Sequence, residues 1–196
     1  MTLKSDKVCL DRTPIAPLDN GGCLWWGPLG LMFGDDPVNP PAPTAILKIE
    51  NTDTTTDLDS TTEQNFDELF GAVTINTNPA NYAVNLATGS ITVNTSGIYR
   101  FTGHFALLAG VTTVSQRVNL SSWFEIGGVE VSPRFQGNYA RDATGHNEVS
   151  QSIEWIVELS AGDTVTLRRD LVAGQTGGQV TFEGTNNFLA VEFVSP

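Results

Sequence analysis

Positive charge is scarce: ten Lys and Arg stand against 22 Asp and Glu, for a formal net charge of −12 over 196 residues. Residues 13–99 hold ten acids and a single base, Lys48. A chain without a clustered basic field gains nothing from counterion release, so nucleic acid is excluded as an expected partner. Charged residues of either sign reach only 16%, below the usual quarter or so, which argues against long solvated helices and coiled coils. Runs of 18 or more apolar residues are missing, so no membrane helix is expected. The opening MTLKSDKVCLDRTPIAP has no apolar stretch of signal-peptide type, so export by that route is not expected. Histidine is nearly absent: His104 and His146 lie 42 positions apart, and no nucleophile-elbow, zincin, phosphate-loop or dinucleotide-binding pattern accompanies them. The expectation is a protein that is not an enzyme and carries no cofactor and no resident metal. Cysteine is limited to Cys9 and Cys23, too few for a zinc site or a disulfide scaffold. Free thiols packed as small apolar groups and a single bridge closing a short loop both remain open.

Proline, by contrast, is abundant where it matters. Seven of the ten prolines precede residue 44, and a residue that fixes φ and donates no backbone hydrogen bond opposes regular structure. The sequence therefore predicts an extended anchoring arm over 1–44, without regular sheet or helix, joined through the stiff spacer VNPPAPT to a body over 45–196. Within the arm, GGCLWWGPLGLMFG crowds Trp25, Trp26, Leu29, Leu31, Met32 and Phe33 into one apolar patch. Such a patch needs cover, from its own body, a neighbouring copy or another protein, and an intermolecular groove is the expected one. Burying Trp25, Trp26 and Phe33 is worth on the order of 10 kcal/mol gross, before ordering costs.

From residue 45 the apolar period becomes two, broken every eight to twelve residues by Gly, Asn, Asp or Pro, the pattern of antiparallel sandwiches. In VSQSIEWIVEL, Val149, Ile153, Trp155, Val157 and Leu159 share a face; in GIYRFTGHFALL, Tyr99, Phe101, Phe105 and Leu107 do so. About ten short strands are expected. Only TTEQNFDELFG, residues 61–71, offers a helical alternative, of a turn or two.

The stretch NYAVNLATGSITVNTSGIYRF, followed by FEIGGVEV, LSAGDTVTLR, TFEG and NFLAVEF, resembles the globular head of the complement-component-1q and tumour-necrosis-factor superfamily over roughly residues 66–194. That resemblance implies an all-β jelly-roll sandwich of about ten antiparallel strands assembled as a homotrimer, with Tyr99, Phe101 and Phe188 in its core or at its subunit contacts. The family's collagen-like stalk is replaced here by the arm, a layout that resembles bacteriophage structural proteins: compact jelly-roll trimers held on a capsid by extended arms. The reading is a virion structural protein on the capsid exterior, made in the host cytoplasm, a decoration or cement protein whose arm clamps the major capsid protein. The alternative is the receptor-binding head, or adhesin, of a short viral fibre recognising a host surface glycan or protein. Candidate recognition residues are Tyr139, Arg141 and His146 in the loop QGNYARDATGHNE. The acidic loop NTDTTTDLDS leaves two readings open for Asp53, Asp57 and Asp59, a solvated loop or calcium ligation through hard oxygen donors.

Overall fold

The protein is described by a computed structural model covering residues 8–9, 23–27, 30–33 and 36–37 of the proline-rich segment, and 45–58, 62–110, 117–137, 140–141, 147–171 and 179–196 beyond it. The chain divides into two compact units, Met1–Pro43 and Thr44–Pro196.

Within the first unit, where the sequence predicts an extended arm without regular sheet, four short strands pair. Val8–Cys9, Cys23–Gly27, Gly30–Phe33 and Asp36–Pro37 form a four-stranded antiparallel sheet in sequence order. The pairing has a simple physical basis. CLWWG and GLMF contain no proline, and Pro37 sits in the outermost strand, where a missing backbone donor costs no central hydrogen bond.

The second unit is an all-β jelly-roll sandwich. Its front sheet runs in the order Glu148–Leu159, Gly97–Ala109, Phe188–Ser195, Ile46–Glu50, Ala72–Asn76, and Val180–Phe182 continues along the far end of Gly97–Ala109. Its back sheet runs Val129–Glu130, Leu120–Ile126, Thr164–Leu171, Ser90–Val93, Tyr82–Asn85. Short strands Phe135–Gln136 and Gln64–Asn65 extend the back sheet at Leu120–Ile126 and Thr164–Leu171 respectively. From Gly97 onward, successive long strands alternate between the sheets, and the first and last strands of the body lie side by side in the front sheet. Every pairing is antiparallel.

Alternation places one face of each sheet in the core. Phe101 of the front sheet meets Phe124 of the back sheet at 5.1 Å between ring centroids, and Trp155 stacks on Phe124 at 4.9 Å. A second aromatic group joins Phe66 to Phe105 and Phe182. The turn into the longest strand requires glycine. At Gly97, φ is +153°, and a Cβ would lie 2.4 Å from the Ser195 carbonyl oxygen. The closing segment TFEGTNNF is split into two strands, with Gly184 turning at positive φ between them. Asn187 secures that turn by donating from Nδ2 to the Gly184 carbonyl at 2.9 Å, while its Oδ1 accepts from the Ala106 amide. Asn51 Nδ2 donates to the same Gly184 carbonyl at 3.0 Å.

Two buried tyrosines give the fold an alkaline limit. The Tyr82 hydroxyl donates to the Ala45 carbonyl at 2.7 Å, and burial pushes its pKa up to about 12. Tyr99 donates to Thr95 at 2.6 Å and is shifted upward by the same cause. The fold favours the neutral phenols, so their contribution is intact below the ordinary tyrosine pKa of about 10 and drains away as pH rises toward 12. At about 1.4 kcal/mol per pH unit, Tyr82 accounts for roughly 2–3 kcal/mol. Ultraviolet titration of phenolate is expected to show Tyr82 and Tyr99 ionising late and together with loss of near-ultraviolet circular dichroism; early ionisation with the fold intact would contradict this.

Candidate functional site

The outward face of the front sheet carries the most suggestive arrangement. Strand register lines up Ile156, Arg100, Glu192 and Ile46 as one rung across four strands. Ile98 and Val194 stand beside that rung, and Ile75 lies opposite Lys48 on the next. All five aliphatic side chains are exposed, Ile156 the most at 56%. Between them Arg100 reaches Glu192 at 3.3 Å and Glu154 at 3.8 Å. Arg100 Nε is buried yet makes no hydrogen bond. An aliphatic patch around an ion-paired arginine is the composition of a protein contact surface. The adjoining strand Glu148–Leu159 is 12 residues long, has neither Pro nor Lys, and is the edge of this sheet among the described residues.

The residues assigned to core or subunit contact separate here. Tyr99 and Phe101 are fully buried within one body, Tyr99 against Tyr82 and Phe193, Phe101 against Phe124 and Trp155. Phe188 is half-buried on the outward face, with Lys48 Nζ 5.0 Å above its ring. His104 is exposed on the same face, its Nδ1 3.2 Å from the Ser152 hydroxyl.

Asp53 and Asp57 of the acidic loop both accept hydrogen bonds. The Asp53 carboxylate accepts from the amide and hydroxyl of Thr55, each at 2.7 Å, and from the Thr56 hydroxyl. These bonds, the one from Thr56 above all, hold Asp53 well below the usual carboxylate range. Asp57 instead accepts from the Val180 amide at 2.9 Å. Asp59 lies outside the described residues, and among the described residues no group of three metal-ligating side chains converges.

Two arginines unanticipated from the sequence organise the back sheet. Arg169 is 1% exposed. Its Nη1 donates to the Leu58 carbonyl at 2.6 Å, its Nε to Glu68 at 3.2 Å, and its Nη2 to Gln64 at 3.2 Å and to the second Glu68 oxygen. The strand period contains the signal that finds it, because Val165, Leu167 and Arg169 share the inward parity. On the sheet's outer side, the Arg134 guanidinium lies 3.8 Å over the Trp123 ring and is held by Glu63, Glu130 and Asp170 at 2.7, 2.9 and 3.0 Å. Hydrogen bonding to Glu130 and Glu63 raises the arginine's pKa further. Asp170 is nevertheless raised: burial and the neighbouring Glu63 and Glu130 outweigh its pairing with Arg134. This cluster caps Trp123, with one guanidinium shared among three acids.

In the first unit, backbone pairing sets Trp25 opposite Met32, Trp26 opposite Leu31, and Leu24 opposite Phe33. The apolar residues of the patch are thus brought into one hairpin, apart from Leu29, which lies outside the described residues. Of the candidate recognition residues, Tyr139 and His146 also lie outside. Arg141 belongs to the short strand Ala140–Arg141, directly opposite Arg117 of Arg117–Val118.

The strand order defines the class: a two-sheet antiparallel jelly roll with the body's terminal strands adjacent. Solved structures with this architecture include murine APRIL, with a TM-score of 0.50, 15% identity, and coverage of 77% of this chain and 99% of that one. The globular domain of zebrafish complement 1qA matches at TM-score 0.46 and 17% identity over 78% of this chain and 96% of that one. Eiger TNF from S. frugiperda matches at 0.49 and 14% over 80% and 94%. No family model matches the sequence, and no curated protein matches it significantly. The similarity to APRIL establishes shared architecture; identities this low carry no assignment of role.

Proposed function

We propose that this chain is a non-enzymatic capsid decoration protein of a bacteriophage: the jelly-roll body assembles as a homotrimeric knob, and the tryptophan hairpin of the first unit fastens it to the major capsid protein. The observation that carries the reading is the pairing of two unlike units in one chain. One is a small sheet concentrating Trp25, Trp26, Leu31, Met32 and Phe33 on two adjacent strands; the other is a body with an exposed aliphatic rung beside a long edge strand. Three bodies joined through that face would present three hairpins, multiplying attachment through effective concentration. A clamp that binds only assembled shell stabilises it by mass action. The buried and clustered charges, Arg169 with Glu68 and Arg134 with its three acids, support a structural role, since each is consumed by the fold.

The adhesin reading has one observation in its favour: Arg117 and Arg141 share a register position in a strongly acidic chain, an arrangement suited to an anionic glycan.

Removing residues 1–43 is expected to leave a folded trimer that no longer sediments with shells, and the pair Trp25→Ala and Trp26→Ala to reduce copies per shell at least about tenfold, since the loss of two buried aromatics exceeds 1.4 kcal/mol. Undiminished decoration by the truncated body would overturn the capsid reading. Loop-dependent retention on an array of anionic glycans, with a few copies per tail, would establish the adhesin instead.

A further inference from the structure

The first unit has to hold a sheet together with little material. It comprises Met1–Pro43, and its strands are two, five, four and two residues long. Units near 40 residues usually depend on a disulfide, a metal or a partner for stability. The register of the outer pair supplies the first of these. Val8 is opposite Leu24, and Cys9 is directly opposite Cys23. Residues facing each other across an antiparallel pair have Cα atoms about 4.5 or 5.5 Å apart, depending on which kind of pair they form. Both separations fall within the roughly 4.4–6.8 Å that a disulfide spans. The chain contains no other cysteine, so no competing intramolecular partner exists. The sequence alone leaves both a bridge and two free thiols open; the register favours the bridge.

We propose that Cys9 and Cys23 form a cross-strand disulfide that staples the tryptophan hairpin to the strand before it. The bridge closes a loop of 13 intervening residues that already contains Pro14 and Pro17. It forms by exchange with a low-molecular-weight disulfide such as oxidised glutathione. One cysteine loses its proton and its thiolate attacks a glutathione sulfur, breaking the glutathione S–S bond and releasing one glutathione thiolate. The second cysteine, likewise deprotonated, attacks the mixed disulfide and releases the other. One protein S–S bond replaces one glutathione S–S bond, two electrons pass from the cysteines to glutathione, and the two protons end on the two glutathione thiols. In a reducing compartment the pair stays open, and in oxidising surroundings it closes.

The test uses the full chain, equilibrated in graded mixtures of reduced and oxidised glutathione, quenched with acid, alkylated and mapped by peptide mass. The expected product is a single intramolecular link between the peptides carrying Cys9 and Cys23. The effective concentration of one thiol for the other should be at least about tenfold higher in native buffer than in concentrated urea, because the register holds the two together only in the folded unit. Cys9→Ser should leave Cys23 as a glutathione mixed disulfide, and Cys23→Ser the reverse. Equal effective concentrations in buffer and urea, two alkylated cysteines under oxidising conditions, or links between copies would each overturn the proposal.

Discussion

Replacing Arg169 with methionine is expected to destabilise the body by about 3–5 kcal/mol, the usual result of removing one partner from a buried ion pair. The guanidinium bridges the Leu58 carbonyl, Gln64 and both oxygens of Glu68, so its loss strips hydrogen bonds from a backbone carbonyl and leaves a carboxylate only 15% exposed beside the core. For a body of this size, about 2–4 °C per kcal/mol translates to a midpoint roughly 10 °C lower. Lysine retains the charge but not the planar fork, so Arg169→Lys should recover only part of the difference. The double variant Arg169→Met with Glu68→Leu should lie closer to the parent than either single change, since no charge is then left alone. Calorimetry at neutral pH measures the parent, the three single variants including Glu68→Leu, and the double variant. A single methionine variant within 1 kcal/mol of the parent would show that the pair is dispensable.

The same residue marks where reading the sequence succeeds and where it stops. Period-two alternation locates the long strands well: the segment 149–159 lies within Glu148–Leu159, and 163–168 overlaps Thr164–Leu171 in all but its first residue. Parity alone would have turned Arg169 inward with Val165 and Leu167. Its partner, 101 positions earlier, is not readable from any local pattern. Residues 61–71 fail for a related reason. Phe66, Leu69 and Phe70 have helical spacing and all are buried, yet only Asp67–Leu69 makes a single 3-10 turn. Gln64 and Asn65 pair with the back sheet, and the Phe66 amide donates to Leu167 at 2.8 Å, so the sheet takes the donors a helix would have used.

The first unit misleads in the opposite direction. Proline density is a regional average, whereas sheet formation depends on where each proline falls. Cys23–Gly27 and Gly30–Phe33 contain none. The proposed contact face of the body is legible only in part. Alternation shows that Ile98 and Ile156 point away from their aromatic neighbours, but a rung joining Ile156, Arg100, Glu192 and Ile46 requires three inter-strand registers that sequence spacing does not contain. Tyr99 and Phe101 are conspicuous in the sequence because they are large, and both are spent on the interior of a single body.

That rung yields the second large effect. Ile156→Glu is expected to convert the proposed trimer, three times 21.0 kDa, into a monomer of 21.0 kDa without unfolding it. In the isolated body the position is 56% exposed, and substitutions at such sites usually change stability by no more than about 0.5 kcal/mol. At a threefold contact the same carboxylate enters each of three equivalent interfaces, beside Glu154 and Glu158 on the same strand face and with Arg100 already committed to Glu154 and Glu192. An uncompensated charge taken out of water costs several kcal/mol per site, and three such sites move a micromolar assembly into full dissociation. Ile156→Val, which keeps an apolar surface, should remain trimeric. Light scattering at micromolar concentration reads the mass, and unchanged circular dichroism confirms the fold. If the glutamate variant kept the trimer mass, subunit contact through this face would be ruled out; if the parent itself ran as a monomer, the knob and its threefold attachment would both be withdrawn.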